Sequence, residues 1–187
     1  MPVKPEILKV STVARSRLFH VETLQLRFSN GVERTYERLA SRGRGAVMIV
    51  PVLESGEVIL IREYAAGLED YTLTLPKGLI DPGENAQQAA HRELQEEAGF
   101  GTRRLDHLKQ MTGAPNYMGH RMEVLLARDL YPSRLEGDEP EPLELVHWPL
   151  ADLETLIERE EFSEGRAIAA LYMARTFLGK EPGDQNR

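Results

Sequence analysis

The chain has 187 residues, 41% of them hydrophobic and 28% charged, with a formal charge of −7 and no cysteine. That length suits one domain, or one domain with a small extension, and the composition is that of an ordinary soluble globular protein rather than a disordered one. The acidic balance excludes a broad phosphate-backbone footprint for nucleic acid, and the lack of cysteine excludes disulfides, thiolate nucleophiles and cysteine-ligated zinc, all compatible with a reducing cytoplasm.

Residues 1–12 carry Pro2, Pro5 and little periodicity, so they read as an irregular arm. The opening stretch MPVKPEILKVSTVARSR has no apolar run of signal-peptide length, and nothing later approaches about 18 uninterrupted apolar residues, so no leader and no membrane span is expected. From Leu18, the residues Phe19, Val21, Leu24, Leu26 and Phe28 roughly alternate. Ser29, Asn30 and Gly31 then form a turn before Val32 to Leu39, which predicts a hairpin. Ser41 to Gly45 is a basic, glycine-containing loop.

Ala46 to Leu53 and Val58 to Arg62 are continuous apolar runs separated by Glu54, Ser55 and Gly56, the pattern of buried strands joined by a turn. Arg62 emerges at the end of the second run, and on its own it reads as well as a surface cation paired with Glu63 or Asp70. Tyr71 to Leu75 is a short strand leading to Pro76 and Lys77.

Gly78 to Phe100 is the most informative stretch. Asn85 can cap a helix, Ala86, Ala89, Ala90, Leu94 and Ala98 suit its interior or core face, and Gly99 fits its stop. At about 100° per residue, Glu93, Glu96 and Glu97 share an arc beside the stripe of Ala90, Leu94 and Ala98. Like charges at this spacing repel, so the arc is either a solvated acidic face or a site for a missing cation, for which Mg²⁺ with its preference for oxygen ligands is suited. Asp81, Pro82 and Gly83 make a turn that lets backbone approach a ligand.

The full spacing is Gly78, five residues, Glu84, seven residues, then Arg92, Glu93, Leu94, one residue, Glu96, Glu97, one residue, Gly99 and Phe100. It resembles the Nudix box at every defined position, over 23 of the 187 residues. The resemblance implies an α/β fold, a Nudix-type α/β/α sandwich around a mixed sheet, here with a small N-terminal antiparallel sheet. It implies Mg²⁺, with Mn²⁺ as a substitute, and hydrolysis of a nucleoside diphosphate linked to another moiety. Carried over, Glu93 and Glu97 are the principal metal ligands, Glu96 a further ligand, and Arg92 the partner of Glu84. The Lys77 carbonyl faces the metal, and Gly78 and Gly99 keep structural places in the motif. An arginine at the place of Arg62 contacts the diphosphate in related ADP-ribose hydrolases.

ARSRLFHV and FSNGVERTYER resemble the N-terminal sheet of the ADP-ribose and ADP-compound branch, whose strands cross a dimer. The residues argue the same way: Leu18, Phe19, Leu24, Leu26 and Phe28 supply more apolar surface than one face of a hairpin hides, and a twofold partner would cover it. A homodimer through Ala14 to Leu39 would also bring Arg15 and Arg17 to the neighbour's site, where a guanidinium can stack on adenine or pair with phosphate. The other reading is a hairpin folded back on its own domain. The expected organisation is an arm and hairpin over residues 1–40, a hydrolase domain over 41–180 and a frayed tail over 181–187.

After the box, Leu105 to Thr112 and Met122 to Ala127 read as strands around the loop GAPNYMGHR. Pro115 lies 15 positions past Phe100 and resembles the marker of the ADP-ribose class. The chain departs from the pattern that usually follows, with Asn116 in place of a glycine and His120 in place of a glutamate. His120 is thus a candidate base, a phosphate contact when protonated, or an exposed loop histidine. LEGDEPEPLEL, residues 135–145, is acidic and punctuated by proline. It reads either as a solvated connector or as the carrier of a carboxylate, Glu139 or Glu141, that orients the attacking water, and it resembles the same ADP-compound branch; such a carboxylate or Glu97 would take the water's proton, with Glu96 beside it in the catalytic set. Val146 to Trp148 is a last strand, Asp152 to Glu158 a short helix, and Glu164 to Leu178 a final helix with Ile168, Leu171, Tyr172 and Phe177 apolar. Tyr172 and Met173 are expected in the core.

The resemblance favours a Mg²⁺-dependent pyrophosphohydrolase of ADP-ribose, NADH and diadenosine polyphosphates, yielding AMP and a second phosphate product. It implies small nucleoside diphosphate derivatives as partners, and neither nucleic acid nor membrane. The alternatives are a nucleotide-sugar pyrophosphatase of other specificity and a non-catalytic ligand sensor on the same fold. An intact Glu93, Glu96 and Glu97 speaks against the sensor.

Overall fold

The structure, a computed structural model, describes residues 1–40 and 43–180; Ser41 and Arg42 of the basic loop and the tail expected at 181–187 lie outside them. The chain divides into two units, Met1–Arg44 with Thr112–Arg121, and Gly45–Met111 with Met122–Arg187.

The first unit is built on an antiparallel sheet of three strands in the order β1 (Glu6–Arg15), β2 (His20–Arg27), β3 (Glu33–Leu39). The β2–β3 hairpin turns where Ser29, Asn30 and Gly31 predict it: Gly31 takes φ +82° and its N–H donates to the Phe28 carbonyl at 2.9 Å. The irregular arm of residues 1–12 is a misreading, since most of it is β1. Two register shifts, between Ile7 and Lys9 and between Thr12 and Ala14, interrupt the alternation on which a strand is recognised. Residues 112–121 complete this unit: the Leu39 N–H donates to the Tyr117 carbonyl at 2.8 Å, and the Tyr117 and Met118 amides both donate to Ala114.

The second unit contains β4 (Ala46–Pro51), β5 (Glu57–Ala65), β6 (Asp70–Thr74), β7 (Lys77–Leu79), helix α1 (Ala86–Glu93), most of β8 (Phe100–Thr112) and β9 (Arg121–Pro132), β10 (Glu144–Pro149), α2 (Leu153–Ile157) and α3 (Gly165–Leu178). A mixed sheet runs β7-β4-β9-β8, with β4 and β9 parallel and β4 and β7 antiparallel. An antiparallel sheet runs β10-β5-β6, so β4 and β5 are consecutive in chain but belong to different sheets, with a bridge between Val52 and Val58 where the chain turns from one to the other.

β4 is apolar throughout because both of its faces are covered. Val47 and Ile49 pack with Ala89, Ala90, Leu94 and Ala98 on the α1 side. Met48 and Val50 pack with Leu153, Leu156, Phe162 and the alanines of α3 on the other. This is the α/β/α sandwich. Each fully buried leucine of it, such as Leu94, is worth about 2–5 kcal/mol against alanine. Tyr172 departs from expectation: it lies on the outer side of α3, 39% exposed, beneath the Arg175 guanidinium at 4.9 Å. The buried stripe of α3 is Ala167, Ala170, Leu171 and Ala174, so small residues rather than the tyrosine set its core face. No helix among the described residues is long and apolar enough to cross a membrane.

Candidate active site

Helix α1 starts as its sequence requires. The Asn85 side chain accepts from the Gln88 N–H at 2.9 Å and the Gln88 side chain accepts from the Asn85 N–H at 2.9 Å, a reciprocal cap. The helix does not stay α-helical to its end: Leu94–Ala98 form one wide π-helical turn, closed where the Gly99 N–H donates to the Leu94 carbonyl five residues back. Gly99 then takes φ +73°, a left-handed stop. The arc arithmetic of a regular helix therefore fails over the residues that matter most. Glu93, the last residue of α1, and Glu97, within the wide turn, both lie inward, 9% and 7% exposed, while Leu94 and Ala98 remain in the core.

Arg92 is the electrostatic centre. Its Nε and Nη2 bind the two oxygens of Glu84 at 2.9 and 3.0 Å, Nη2 also donates to the Leu79 carbonyl at 2.9 Å, and Nη1 donates to Glu93 at 2.7 Å and Glu96 at 2.9 Å. The expected Arg92–Glu84 pair is present, and the same guanidinium gathers two of the three glutamates of the arc. Gly78 is required by close approach: a Cβ there would stand 2.0 Å from Glu93 Oε1. Lys77 serves the third glutamate, its N–H donating to Glu97 at 2.8 Å, while its ammonium pairs with Glu63.

The loop of residues 134–143 faces this helix. Glu93, Glu96 and Glu97 line a cleft of about 270 Å³ with residues 134–143, continuous with a neighbouring space bounded by Lys77, Gly78 and Asp81. Burial pushes Glu97 up to about 8, against the opposing pull of Lys77 and with the help of Glu93 and Glu63. Burial also raises Glu93, and it raises Glu139, where Glu63 and Asp138 add to the effect. The acids therefore outnumber the cations around them.

Among the described residues no three acid or histidine side chains already converge as a metal-holding group. The chemistry of the donors nonetheless fits a hard divalent ion: buried carboxylates in excess, presently drawn onto Arg92 and Lys77, with no soft ligand beside them.

Arg62 and Glu141 belong to the same unit as this cleft, and Glu141 is among its lining residues. Arg62 lies in a separate cleft of about 700 Å³, tied to Glu161 at 2.8 Å and Glu144 at 3.0 Å. Glu141 accepts from the Tyr71 hydroxyl instead of facing the carboxylates freely. His120 is half-buried and, like the exposed Arg15 and Arg17, belongs to the first unit. Glu63 is the residue the sequence reading missed. Strand alternation could have found it: along β5, Ile59 packs toward α1 and Leu60 toward α3, so Glu63 follows the first and Arg62 the second.

A family model of the NUDIX domain matches residues 42–171, and one of the NudE-type Nudix hydrolase N-terminal domain matches residues 5–38. The chain belongs to the Nudix hydrolase family, enzymes of phosphoric anhydride hydrolysis that generally need a divalent metal. It is 55% identical to the ADP compounds hydrolase NudE of Escherichia coli (strain K12) over 175 residues, 94% of each chain. It is 26% identical to the ADP-ribose pyrophosphatase of Bacillus subtilis (strain 168) over 170 residues, 88% of this chain and 91% of the relative. A crystal structure of an ADP compounds hydrolase matches with a TM-score of 0.91 at 54% identity, covering 96% of each chain.

Proposed function

We propose that this chain is a Mg²⁺-dependent pyrophosphohydrolase of ADP-linked compounds, namely ADP-ribose, NADH and diadenosine polyphosphates, releasing AMP and a second phosphate product. One observation carries the reading: the cation-deficient cluster of buried Glu93 and Glu97 with half-buried Glu96 faces Glu139, in a chain that resembles ADP compounds hydrolases along nearly its whole length. Glu93, Glu96, Glu97 and the Lys77 carbonyl are the proposed metal ligands. Bound there, Mg²⁺, or Mn²⁺ in its place, supplies positive charge for the diphosphate oxygens and a water of lowered pKa.

The protein's part is to hold and receive. Arg92 fixes the Glu93 and Glu96 carboxylates, Gly78 leaves room for that of Glu93, and Lys77 fixes Glu97. Glu139, whose raised proton affinity suits a base, takes the proton of the attacking water as the bridging P–O bond breaks. Glu139 is preferred to Glu141, which is engaged by Tyr71, and to His120.

The proposed working unit is a cytoplasmic homodimer. Its support is the apolar surface of the N-terminal sheet, where Ile7 is 56%, Val13 55%, Leu18 64% and Phe19 52% exposed. In such a dimer Arg15 and Arg17 serve the partner's substrate. Light scattering should report about twice the chain mass at micromolar concentration, and Phe19→Glu should shift it toward the monomer. The reaction itself is tested by incubating ADP-ribose, NADH, diadenosine polyphosphates and non-adenine nucleotide sugars with the protein and Mg²⁺. AMP should appear by mass from the first three; turnover of the nucleotide sugars alone would overturn the assignment.

A further inference from the structure

We propose that Tyr71 is a positioning residue for hydrolysis: its hydroxyl, donated to Glu141, latches the C-terminal half of the 134–143 loop and thereby sets where Glu139 stands over the acidic cleft. This rests on the reading of Glu139 as the base.

The loop is secured differently at its two ends. On entry, the Ser133 N–H donates to the Gly99 carbonyl at 3.1 Å, the Leu135 N–H to the Gln95 carbonyl at 3.3 Å, and the Gln95 side chain to the Ser133 hydroxyl at 2.6 Å. These bonds fasten the loop's beginning to the π-helical turn. Beyond them, among the described residues, Tyr71 to Glu141 is the only side-chain hydrogen bond made by residues 136–143. Its acceptor is a carboxylate, so the bond is charge-assisted, though both partners are exposed to solvent.

Tyr71 is well placed to act as a fixed post. It pairs in register with Tyr64 across the β5–β6 hairpin, and the two rings meet edge to face at 5.5 Å and 68°. Its own N–H is held by the Asp70 carboxylate at 2.8 Å. The link from Glu141 back to Glu139 is short and stiff, because each glutamate precedes a proline, Pro142 and Pro140, and a residue before proline is confined to extended conformations. Holding Glu141 therefore restricts Glu139, two residues away, which lines the cleft with Glu93, Glu96 and Glu97.

The test is steady-state hydrolysis of ADP-ribose with Mg²⁺ by wild type, Tyr71→Phe, Glu141→Ala, their double variant and Glu139→Gln, together with hydrogen–deuterium exchange of peptides spanning residues 134–143. Tyr71→Phe removes one hydroxyl and keeps the ring contact. It should lower kcat about tenfold with KM within about twofold, and speed exchange in the loop. The double variant should be no slower than the worse single variant, the mark of two residues acting through one bond. Wild-type kcat in Tyr71→Phe beside a depressed Glu139→Gln overturns the latch and leaves the base assignment standing. A raised KM at unchanged kcat, or additive losses, also overturns it. Full turnover by Glu139→Gln overturns the base assignment instead, and exchange in Tyr71→Phe then decides the latch: unchanged exchange refutes it.

Discussion

Around Arg62 the carboxylates have guanidinium partners: Glu144 and Glu161 bind Arg62, and Glu161 is shared with Arg159 at 2.8 Å. Glu161 is accordingly held below the ordinary glutamate range, first by the Arg62 hydrogen bond and then by Arg159. In the cleft beside α1 the same residue type behaves oppositely, with Glu97 pushed up to about 8 because burial outruns the cations available. Both neighbourhoods are built of Glu, Arg and short hydrogen bonds. The difference teaches that burial beyond what the available countercharge offsets, rather than acidity, separates a site that wants a ligand from a network that is already satisfied.

The comparison breaks most directly at Glu97. Glu97→Gln keeps the shape and the Lys77 contact but removes the charge, and it should abolish nearly all turnover while leaving the circular dichroism spectrum unchanged. Wild type in EDTA should match it. Next in size is Glu139→Gln, expected to lower kcat by about 10² to 10⁴ with little change in KM, as loss of a general base does. His120→Ala should cost less. The reverse ranking moves the base onto the 115–121 segment.

On the satisfied side, Arg62→Gln should melt earlier, losing about 1 kcal/mol of stability from two partly exposed ion pairs. A rise in KM at constant kcat would add the diphosphate contact that the family resemblance implies. A melting shift alone would assign Arg62 wholly to structure.

How much of this was legible in the sequence depends on the kind of constraint. The cap at Asn85 and the stop at Gly99 follow from residues close in chain and the Arg92–Glu84 pair from the family resemblance, and the structure has all three. The buried runs at β4 and β5 follow from apolar patterning, although their division between two sheets does not, since pairing partners are set by distant segments. β1 was hidden by its bulges. The π-helical turn was hidden because a helix period assumed from sequence has no sign for an extra residue per turn. Glu63 and Tyr71 carry no motif at all; they matter because β5 and β6 bring them to the cleft and its loop.

The smallest effect is one of pH. Arg92 holds Glu84 below its ordinary value, so the pair contributes stability that is fully present above the unfolded glutamate value and is lost as pH falls through the lower folded one. Glu84→Gln should therefore lower the melting temperature at pH 7, and the gap to wild type should narrow as pH falls below the ordinary glutamate range. A gap that does not narrow would mean that the charge of Glu84 is not what holds the loop.

The central claim is that Glu93, Glu96 and Glu97 form a site awaiting a divalent cation, and Mn²⁺ titration followed by electron paramagnetic resonance tests it without reference to turnover. Free Mn²⁺ gives a sharp signal that is lost on binding. The account predicts saturable loss of that signal with wild type, competition by Mg²⁺, and strong weakening in Glu97→Gln, while Arg62→Gln titrates like wild type. A signal that wild type leaves unchanged, or that all three proteins quench alike, would contradict it.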